Sequence, residues 1–229
     1  NGTGELIQSG GRVIKNVAGY DLARLMAGAL GTLGVITQLS LRVVTVMEKE
    51  HYLYRNLPLA EVPAWMSELG RRPLPLSGLA WLDGVVRVRL AGTAAGVEAA
   101  VARLGLPTDE AGADFWSGLR DQTLPFFVTD DAPLWRLSHR PAAQVAELDG
   151  AWLIDWGGAQ RWLRSREPSA RVRAAAAAQS GHATLFRGGD RQGEVFQRPA
   201  AALWRLQENV KRALDPAGVF NPGRLYADL

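Results

Sequence analysis

A glycine-rich stretch near the start of the chain has the residue types needed to grip a ligand through the main chain. Residues 28–36 read Gly-Ala-Leu-Gly-Thr-Leu-Gly-Val-Ile. Glycine lets backbone amides approach a ligand closely, so such a loop suits a cofactor held by main-chain groups. The dinucleotide-binding Gly-x-Gly-x-x-Gly pattern follows a strand and opens a helix, whereas this stretch follows a helical pattern. Taken alone, the stretch indicates either a cofactor cradle or a structural corner.

The titratable side chains form no recognisable catalytic or metal-binding pattern. No second histidine lies near any of the three in sequence, so we expect no metal site and favour surface or strand-edge positions for them. The acidic clusters favour solvated loops or helix caps over acid–base catalysis. The sequence has neither a Gly-x-Ser-x-Gly elbow nor a P-loop. The histidines are His51, His139 and His182, and the clustered acids are Glu110, Asp114, Asp121, Asp130 and Asp131.

Composition narrows the function classes further. The 229 residues include no cysteine, which excludes disulfides, thiolate zinc sites, cysteine nucleophiles and iron–sulfur ligation by this chain. A net charge of +3 with scattered arginines argues against nucleic-acid binding. The longest apolar run, residues 26–36, is shorter than a transmembrane segment requires. Most of the eight tryptophans occupy strand or helix positions, which predicts packing rather than a stacking platform.

The glycine-rich stretch must be positioned by a helix before it and a strand after it. Asp21 can cap a short helix that ends at Gly28. Residues 35–47 alternate apolar and polar side chains imperfectly, which predicts a long strand buried on one face. Short strands are also predicted within residues 5–14. The charged run at residues 48–50 predicts a domain boundary.

Beyond residue 50 the pattern becomes an alternation of antiparallel hairpins and helices. Asp83 and Gly84 between two apolar runs are typical of a two-residue hairpin turn, and Thr93 is a good helix N-cap. Helices between antiparallel hairpins predict an α+β fold with a ferredoxin-like β-α-β-β-α-β unit, rather than a doubly wound parallel sheet. The predicted strands are 51–56, 77–82, 85–90, 134–138, 151–156, 159–163 and 183–187, and the predicted helices are 59–70, 93–104, 168–179 and 199–214.

Several motifs, in their order along the chain, resemble one protein family. Residues 10–37, with Gly-Gly-Arg-Val-Ile-Lys-Asn-Val-Ala-Gly-Tyr-Asp-Leu and the later Gly-Thr-Leu-Gly-Val-Ile-Thr, are similar to the end of the FAD-binding domain of FAD-linked oxidases of the vanillyl-alcohol-oxidase, or PCMH, type. Residues 214–225, Leu-Asp-Pro-Ala-Gly-Val-Phe-Asn-Pro-Gly-Arg-Leu, resemble the C-terminal signature of that family's lactate and glycolate dehydrogenase branch. Within the branch, residues 15–21 and the hairpin 154–162 look most like the FAD-binding subunits of bacterial glycolate oxidase.

The resemblance implies a domain organisation and a function. Residues 1–47 would end a PCMH-type FAD-binding domain, residues 48–198 would form an α+β substrate or cap domain, and residues 199–229 would return to the FAD domain as a helix and tail. The implied activity is FAD-dependent oxidation of glycolate to glyoxylate, in a complex with a larger FAD subunit and an iron–sulfur subunit. We expect a cytoplasmic location, with any attachment to the inner membrane made through partners.

The resemblance also carries over candidate cofactor residues. In the family, the glycine turn lies along FAD with its backbone, and the tail brings its asparagine back toward the flavin ring. Asp21 matches the motif too, and suits either a helix cap or a wall of the site. No catalytic base is identified. The cofactor candidates are Gly31, Thr32, Gly34, Val35, Ile36, Asn16, Tyr20 and Asn221.

Two departures from the family pattern shape the expected function. Related 2-hydroxy-acid dehydrogenases carry closely spaced histidines that bind a metal and the substrate, and this chain has no such pair. That suits a subunit that works within a complex. The family's N-terminal lobe, whose loop holds the pyrophosphate, has no counterpart before Gly10, so we expect a C-terminal fragment that is inactive alone. The alternatives are a D-lactate-type dehydrogenase and a non-catalytic assembly subunit.

Overall fold

The computed structural model describes residues 1–10, 21–128 and 131–229. The chain divides into a central unit, Val46–Arg191, and a terminal unit, Asn1–Thr45 with Gln192–Leu229. The elements in chain order are α1 (Leu22–Met26), β1 (Lys49–Asn56), α2 (Val62–Gly70), β2 (Leu76–Leu82), β3 (Val85–Gly92), α3 (Ala94–Leu104), α4 (Gly112–Asp121), α5 (Pro125–Val128), β4 (Leu134–Ser138), β5 (Ala151–Asp155), β6 (Gln160–Arg164), α6 (Ser169–Ala178), β7 (His182–Arg187) and α7 (Ala201–Leu214), with 3-10 turns at Leu59–Glu61 and Trp156–Gly158.

An antiparallel sheet runs through the central unit, and its seven strands within the described ranges have the order β1-β3-β2-β5-β6-β4-β7. The first half, β1-α2-β2-β3-α3, places its strands as β1-β3-β2, and Thr108 after α3 forms an isolated antiparallel bridge to Leu53. The second half, β4-β5-β6-α6-β7, places its strands as β5-β6-β4-β7. Both halves follow the ferredoxin-like arrangement, with the first half's fourth strand reduced to the Thr108 bridge. The predicted α+β fold is confirmed.

Local sequence signals explain how the hairpins and helices of the central unit begin and end. Asp83 and Gly84 join β2 to β3 with φ of 49° and 81°, the positive values that a tight hairpin turn of this kind requires. Thr93 caps α3 by accepting a hydrogen bond from the Gly96 amide at 3.2 Å. Gly105 ends α3 in the left-handed region with φ of 59°. The signals predicted at Asp83, Gly84 and Thr93 are confirmed, whereas the helix end at Gly105 was not predicted.

Alternate residues of the strands bury two faces of the sheet. Along β2, Leu79 and Trp81 pack with the larger core cluster, whereas Ala80 packs with the smaller one. The larger cluster includes residues of α2, α3 and α6, and the smaller one includes Phe115 of α4 and Phe127 of α5. The sheet is therefore covered on both faces, so the apolar side chains on each face of its strands are buried.

In the second half, a buried arginine donates hydrogen bonds to an irregular segment that stands where a ferredoxin-like unit has a helix. A ferredoxin-like unit carries a helix between its first two strands, but here residues 139–150 connect β4 to β5 without one. Arg161 of β6 is 1% exposed and donates to the carbonyl oxygens of Gly158 at 3.2 Å, Gln144 at 2.7 Å and Ala143. Irregular backbone near a core needs such donors, because its carbonyl oxygens do not accept the hydrogen bonds that a helix would supply.

The terminal unit departs from prediction after the glycine-rich stretch. α1 forms as predicted, with Asp21 accepting from the Arg24 amide at 3.0 Å. The strand predicted over 35–47 is wrong: these residues form no strand, and Val43 is 85% exposed. An isolated strand cannot bond its own backbone, and no described segment pairs with this one. The strands predicted within 5–14 are also absent over the described residues 5–10. The assignment of domains at 1–47, 48–198 and 199–229 stays a prediction.

Candidate functional site

The glycine-rich stretch folds into a compact turn immediately after α1. Its chain reverses through Gly28, Leu30 and Gly31, which have φ of 83°, 51° and 72°. The backbone amide and hydroxyl of Thr32 both donate to the Ala29 carbonyl oxygen, at 3.0 and 2.7 Å. Thr32 is thereby buried, and its side chain serves the turn itself. We call residues 28–36 the glycine turn.

A buried ion pair connects the glycine turn to the C-terminal tail. The Lys211 ammonium, in the last turn of α7, donates to Asp215 Oδ2 at 2.5 Å, to the Thr32 carbonyl oxygen at 2.8 Å and to the Phe220 carbonyl oxygen at 2.8 Å. Asp215 also accepts from the backbone amides of Val219, at 3.0 Å, and Phe220, at 2.9 Å. The tail is therefore folded around the carboxylate, with the glycine turn attached through the lysine.

The charged state of Asp215 is favoured by these contacts. Burial alone would raise the pKa of this carboxyl, but hydrogen bonds from Lys211 and from the Phe220 and Val219 amides outweigh burial and hold the pKa below its ordinary value. The Asp215 side chain has no exposed surface and that of Lys211 is 10% exposed, so the pair is enclosed.

Asn221 makes a second connection between the tail and the glycine turn. Its Nδ2 donates to the Leu30 carbonyl oxygen at 2.9 Å, and its backbone adopts φ of 39° in the left-handed region. A Cβ atom at Gly31 would lie 2.7 Å from Asn221 Nδ2, so glycine is required for this approach. Leu30 and residues 221–224 line a cavity of about 500 Å³ beside the contact.

The cofactor candidates predicted from sequence fall into three groups. Gly31, Thr32 and Asn221 lie together although the tail is about 190 residues away in sequence. Gly34, Val35 and Ile36 continue the glycine turn, and Val35 and Ile36 are 68% and 54% exposed. Asn16 and Tyr20 lie outside the described residues. The structure thus brings three of the candidates together in one cluster. That these residues bind a cofactor stays a prediction.

Two residues of this site were not predicted. Lys211 and Asp215 stand four apart at the end of an amphipathic helix, which is ordinarily a solvated ion pair. The available signal was weak: Lys211 is one of three lysines in a chain whose other basic residues are arginines. Asp21 suited two roles, and its contact with the Arg24 amide confirms the helix cap, while its role as a wall of the site stays a prediction.

A second cavity, of about 870 Å³, lies in the central unit between α4 and the sheet. Asp155 at its wall is buried and accepts from the Trp156 amide at 2.7 Å, and burial raises the pKa of its carboxyl above the ordinary value. On another wall, Glu50 pairs with Arg89 at 2.6 Å, which lowers the pKa of the Glu50 carboxyl. Trp156 lines the same cavity and is 70% exposed, so it departs from the predicted packing role of the tryptophans.

The remaining histidines and acids do not gather into a metal centre. In the described part of the chain, no three His, Asp or Glu side chains lie close enough together to hold a metal ion. His182 pairs with Ser138 at the ends of β7 and β4, which places it beside His139. Among the described helices, none combines the length and the apolar character that crossing a bilayer requires.

The chain is similar in sequence to several proteins of known name. No protein-family model matches the chain. Over 228 residues, 100% of the chain, it is 43% identical to glycolate oxidase subunit GlcE of Escherichia coli K12, and covers 63% of that protein. Over 60 residues it is 42% identical to glycolate oxidase subunit GlcD of Bacillus subtilis, covering 25% of the chain and 13% of the relative. Over 66 residues it is 50% identical to a D-lactate dehydrogenase of Anaerostipes hadrus, covering 27% and 14%.

The names of these relatives point to a class of proteins, and the match along the whole chain points to one member of it. Two of these proteins are named as subunits of glycolate oxidase and the third as a D-lactate dehydrogenase, so the chain is similar to proteins of 2-hydroxy-acid oxidation. More particularly, it is homologous along its whole length to the E subunit of bacterial glycolate oxidase, and the resemblance predicted from the motifs is confirmed. The chain spans about 63% of the length of that relative.

Proposed function

We propose that this chain is part of an FAD-binding subunit of a glycolate oxidase complex, in which glycolate becomes glyoxylate and an iron–sulfur subunit receives the electrons. The observation that carries the proposal is the 43% identity to the E subunit along the full chain. Both relatives are named as subunits of glycolate oxidase, which supports a complex of several subunits, and the partner in this proposal is a larger FAD subunit. We also propose a cytoplasmic location, with any membrane attachment made through partners.

The glycine turn fits a role in holding FAD. The backbone amides of Gly31, Leu33, Gly34, Val35 and Ile36 have no hydrogen-bond partner among the described residues. FAD presents many acceptor oxygens and ring nitrogens, which are the groups that unpaired amides bind. When bound, FAD would accept the electron pair from the hydroxy acid. The chain's own contribution is the glycine turn, with Asn221 beside it.

The domain roles follow as part of the same proposal. Residues 1–47 and 199–229 would contribute to the FAD-binding domain, and residues 48–198 would form the substrate or cap domain. The central unit offers a cavity with ionisable groups, Asp155 and the Glu50–Arg89 pair, which suits small polar substrates. No three His, Asp or Glu side chains in the described ranges lie close enough to hold a metal ion, which supports a site completed by the larger subunit over a self-contained one.

The experiment uses the full-length protein, alone and assembled with its partners. Flavin absorbance after incubation with FAD measures cofactor binding, and bleaching of that absorbance on adding glycolate measures substrate oxidation. The decisive variant is Gly31→Val, because its side chain would meet Asn221 and strain a backbone with φ of 72°. We expect about tenfold weaker FAD binding in this variant.

Gly193→Val is the matched control, because a Cβ at Gly193 meets nothing within 4 Å in the same unit. This control should bind FAD as the unmodified protein does. If the full-length protein takes up no flavin, and the complex oxidises glycolate equally well without it, a non-catalytic assembly role replaces the proposal.

A second candidate substrate is D-lactate, which the 50% identity to a D-lactate dehydrogenase over 66 residues favours. Both hydroxy acids carry a carboxylate and an adjacent hydroxyl, so a common binding mode would serve either. Comparing the rates of flavin bleaching by glycolate and by D-lactate in the assembled complex separates the two substrates.

A further inference from the structure

α7 buries its charged residue and exposes its leucines. Lys211 is 8% exposed, whereas Leu203 and Leu206 are 56% and 57% exposed. Of the fourteen residues of this fully described helix, Lys211 is the one that is buried. Lysine is almost never buried without a partner, because removing an ammonium group from water is costly. The position of Lys211 therefore requires a compensating set of contacts.

Those contacts use every donor and hold three chain segments. The ammonium group has three protons, and three oxygen atoms of Asp215, Thr32 and Phe220 lie within 2.8 Å. Thr32 belongs to the glycine turn, Phe220 to the tail and Lys211 to α7. The lysine thus joins parts of the chain that are 179 residues apart. A methionine of similar shape would leave two carbonyl groups without this donor, and a buried carboxylate with only the Val219 and Phe220 amides and no cation.

The contact with Thr32 also fixes the orientation of a peptide group in the glycine turn. In a trans peptide, the carbonyl and the following amide point in opposite directions. Lys211 holds the Thr32 carbonyl, so the Leu33 amide is directed away from the lysine. Asn221 likewise holds the Leu30 carbonyl, which directs the Gly31 amide away from Asn221. Neither amide has a hydrogen-bond partner among the residues that the structure describes.

We propose that Lys211, held by Asp215, is a positioning residue that orients the glycine turn for binding a dinucleotide cofactor. It acts on the cofactor through the Thr32 carbonyl, without contacting the cofactor itself. The inference rests on the proposed function, because it takes the glycine turn to be the FAD-binding segment. It adds that a residue of α7 sets the affinity of that segment.

The experiment compares variants of the full-length protein for FAD affinity and for stability of the apoprotein. Lys211→Met removes the three hydrogen bonds, and Arg212→Met changes the exposed neighbour on the same helix. Affinity is measured by quenching of flavin fluorescence, the bound geometry by visible circular dichroism of the flavin, and stability by the apoprotein Tm. We expect Lys211→Met to weaken FAD binding about tenfold and to change the flavin dichroism, with Arg212→Met within about twofold of the parent.

Two further variants separate positioning from loss of stability. Trp204→Leu removes packing against Tyr226, 5.0 Å between ring centres, and Arg198, at a position about two helical turns before Lys211. It should lower the Tm while FAD affinity stays within about twofold. Lys211→Met combined with Asp215→Asn removes the buried charge that has lost its cation, although asparagine can accept from only one of the two tail amides. Its Tm should therefore recover in part, while FAD binding remains weak. This double variant carries the test if Lys211→Met does not fold.

The results distinguish failure of this inference from failure of the proposed function. If the parent protein binds no FAD, the proposed function fails. If the parent binds FAD and the double variant binds it equally well, the inference is overturned. The inference is also overturned if affinity falls in proportion to Tm across all variants, Trp204→Leu included, because Lys211 would then be structural only.

Discussion

His139 should make the stability of the central unit depend on pH. It lies directly after β4, is 9% exposed, and its backbone amide donates to the Ala159 carbonyl oxygen at 2.9 Å. Its Nδ1 atom is buried without a hydrogen-bond partner in the described part of the chain. Burial, the neighbouring Arg161 guanidinium and His182 together lower the pKa of His139 from 6.5 to about 4. The imidazole is therefore neutral in the folded protein at mildly acidic pH.

The sign and size of the effect follow from this difference in pKa. An unfolded chain protonates the histidine near pH 6.5, whereas the folded chain resists protonation until about pH 4. Falling pH therefore favours the unfolded state, and the free energy of unfolding decreases across that window. Between pH 8 and pH 5 the loss should be roughly 1–2 kcal/mol, allowing for solvent screening of a side chain that is not fully enclosed.

The assay is urea unfolding followed by tryptophan fluorescence at pH 8, 6.5 and 5, on the parent protein and on His139→Gln. The variant should lose less stability on acidification than the parent by the amount given above. Asp155, with its raised pKa, contributes stability that grows as pH falls, but it is present in both proteins and cancels in the comparison. His51→Gln is the control at a more exposed histidine. Equal pH dependence in the parent and His139→Gln would refute the reasoning.

Three further changes test other parts of the structure. Thr93→Ala removes the cap of α3 and should lower the free energy of unfolding by about 1 kcal/mol, read from the urea midpoint. Gly112→Ala places a Cβ atom 2.3 Å from Tyr52 Cβ and should cost about 1–3 kcal/mol, measured in the same way, whereas Gly70→Ala meets nothing within 4 Å. Because the folded protein lowers the pKa of Asp215, the charged carboxylate stabilises the fold above pH 3.8, and this stabilisation is lost as pH falls through the lower folded-state pKa. The Tm from helical circular dichroism should therefore differ less between pH 5 and pH 2 in Asp215→Asn than in the parent.

Local chemistry made much of the central unit predictable. The hairpin at Asp83 and Gly84 and the helix start at Thr93 depend on backbone geometry that a few neighbouring residues set. The strand boundaries of the second half agree within about two residues, because alternating burial is visible in the sequence. The sequence predicts no helix over residues 139–150, in agreement with the structure. It gives no sign that Arg161 is buried and donates to the carbonyl oxygens of that segment.

The terminal unit was harder to predict because its contacts join distant parts of the chain. The pattern of residues 35–47 satisfied the rule for a strand, yet a strand exists only when a neighbour bonds its backbone. Asn221 was identified by its motif, but its contact with the Leu30 carbonyl oxygen depends on a fold that spacing cannot supply. Lys211 reads as an ordinary helix-surface lysine until the three acceptors around it are seen.

Joining the two ferredoxin-like halves also affects the resistance of the protein to self-association. Two separate sheets would present four edge strands, each offering unpaired backbone groups to another chain. Antiparallel pairing of Trp81 with Ile154 and Leu82 with Leu153 merges them, so that β1 and β7 remain as the edges among the described strands. The bridge from Thr108 to Leu53 covers part of the β1 edge. Two residue pairs at the centre of the sheet thus remove half of the surface through which such a sheet could aggregate.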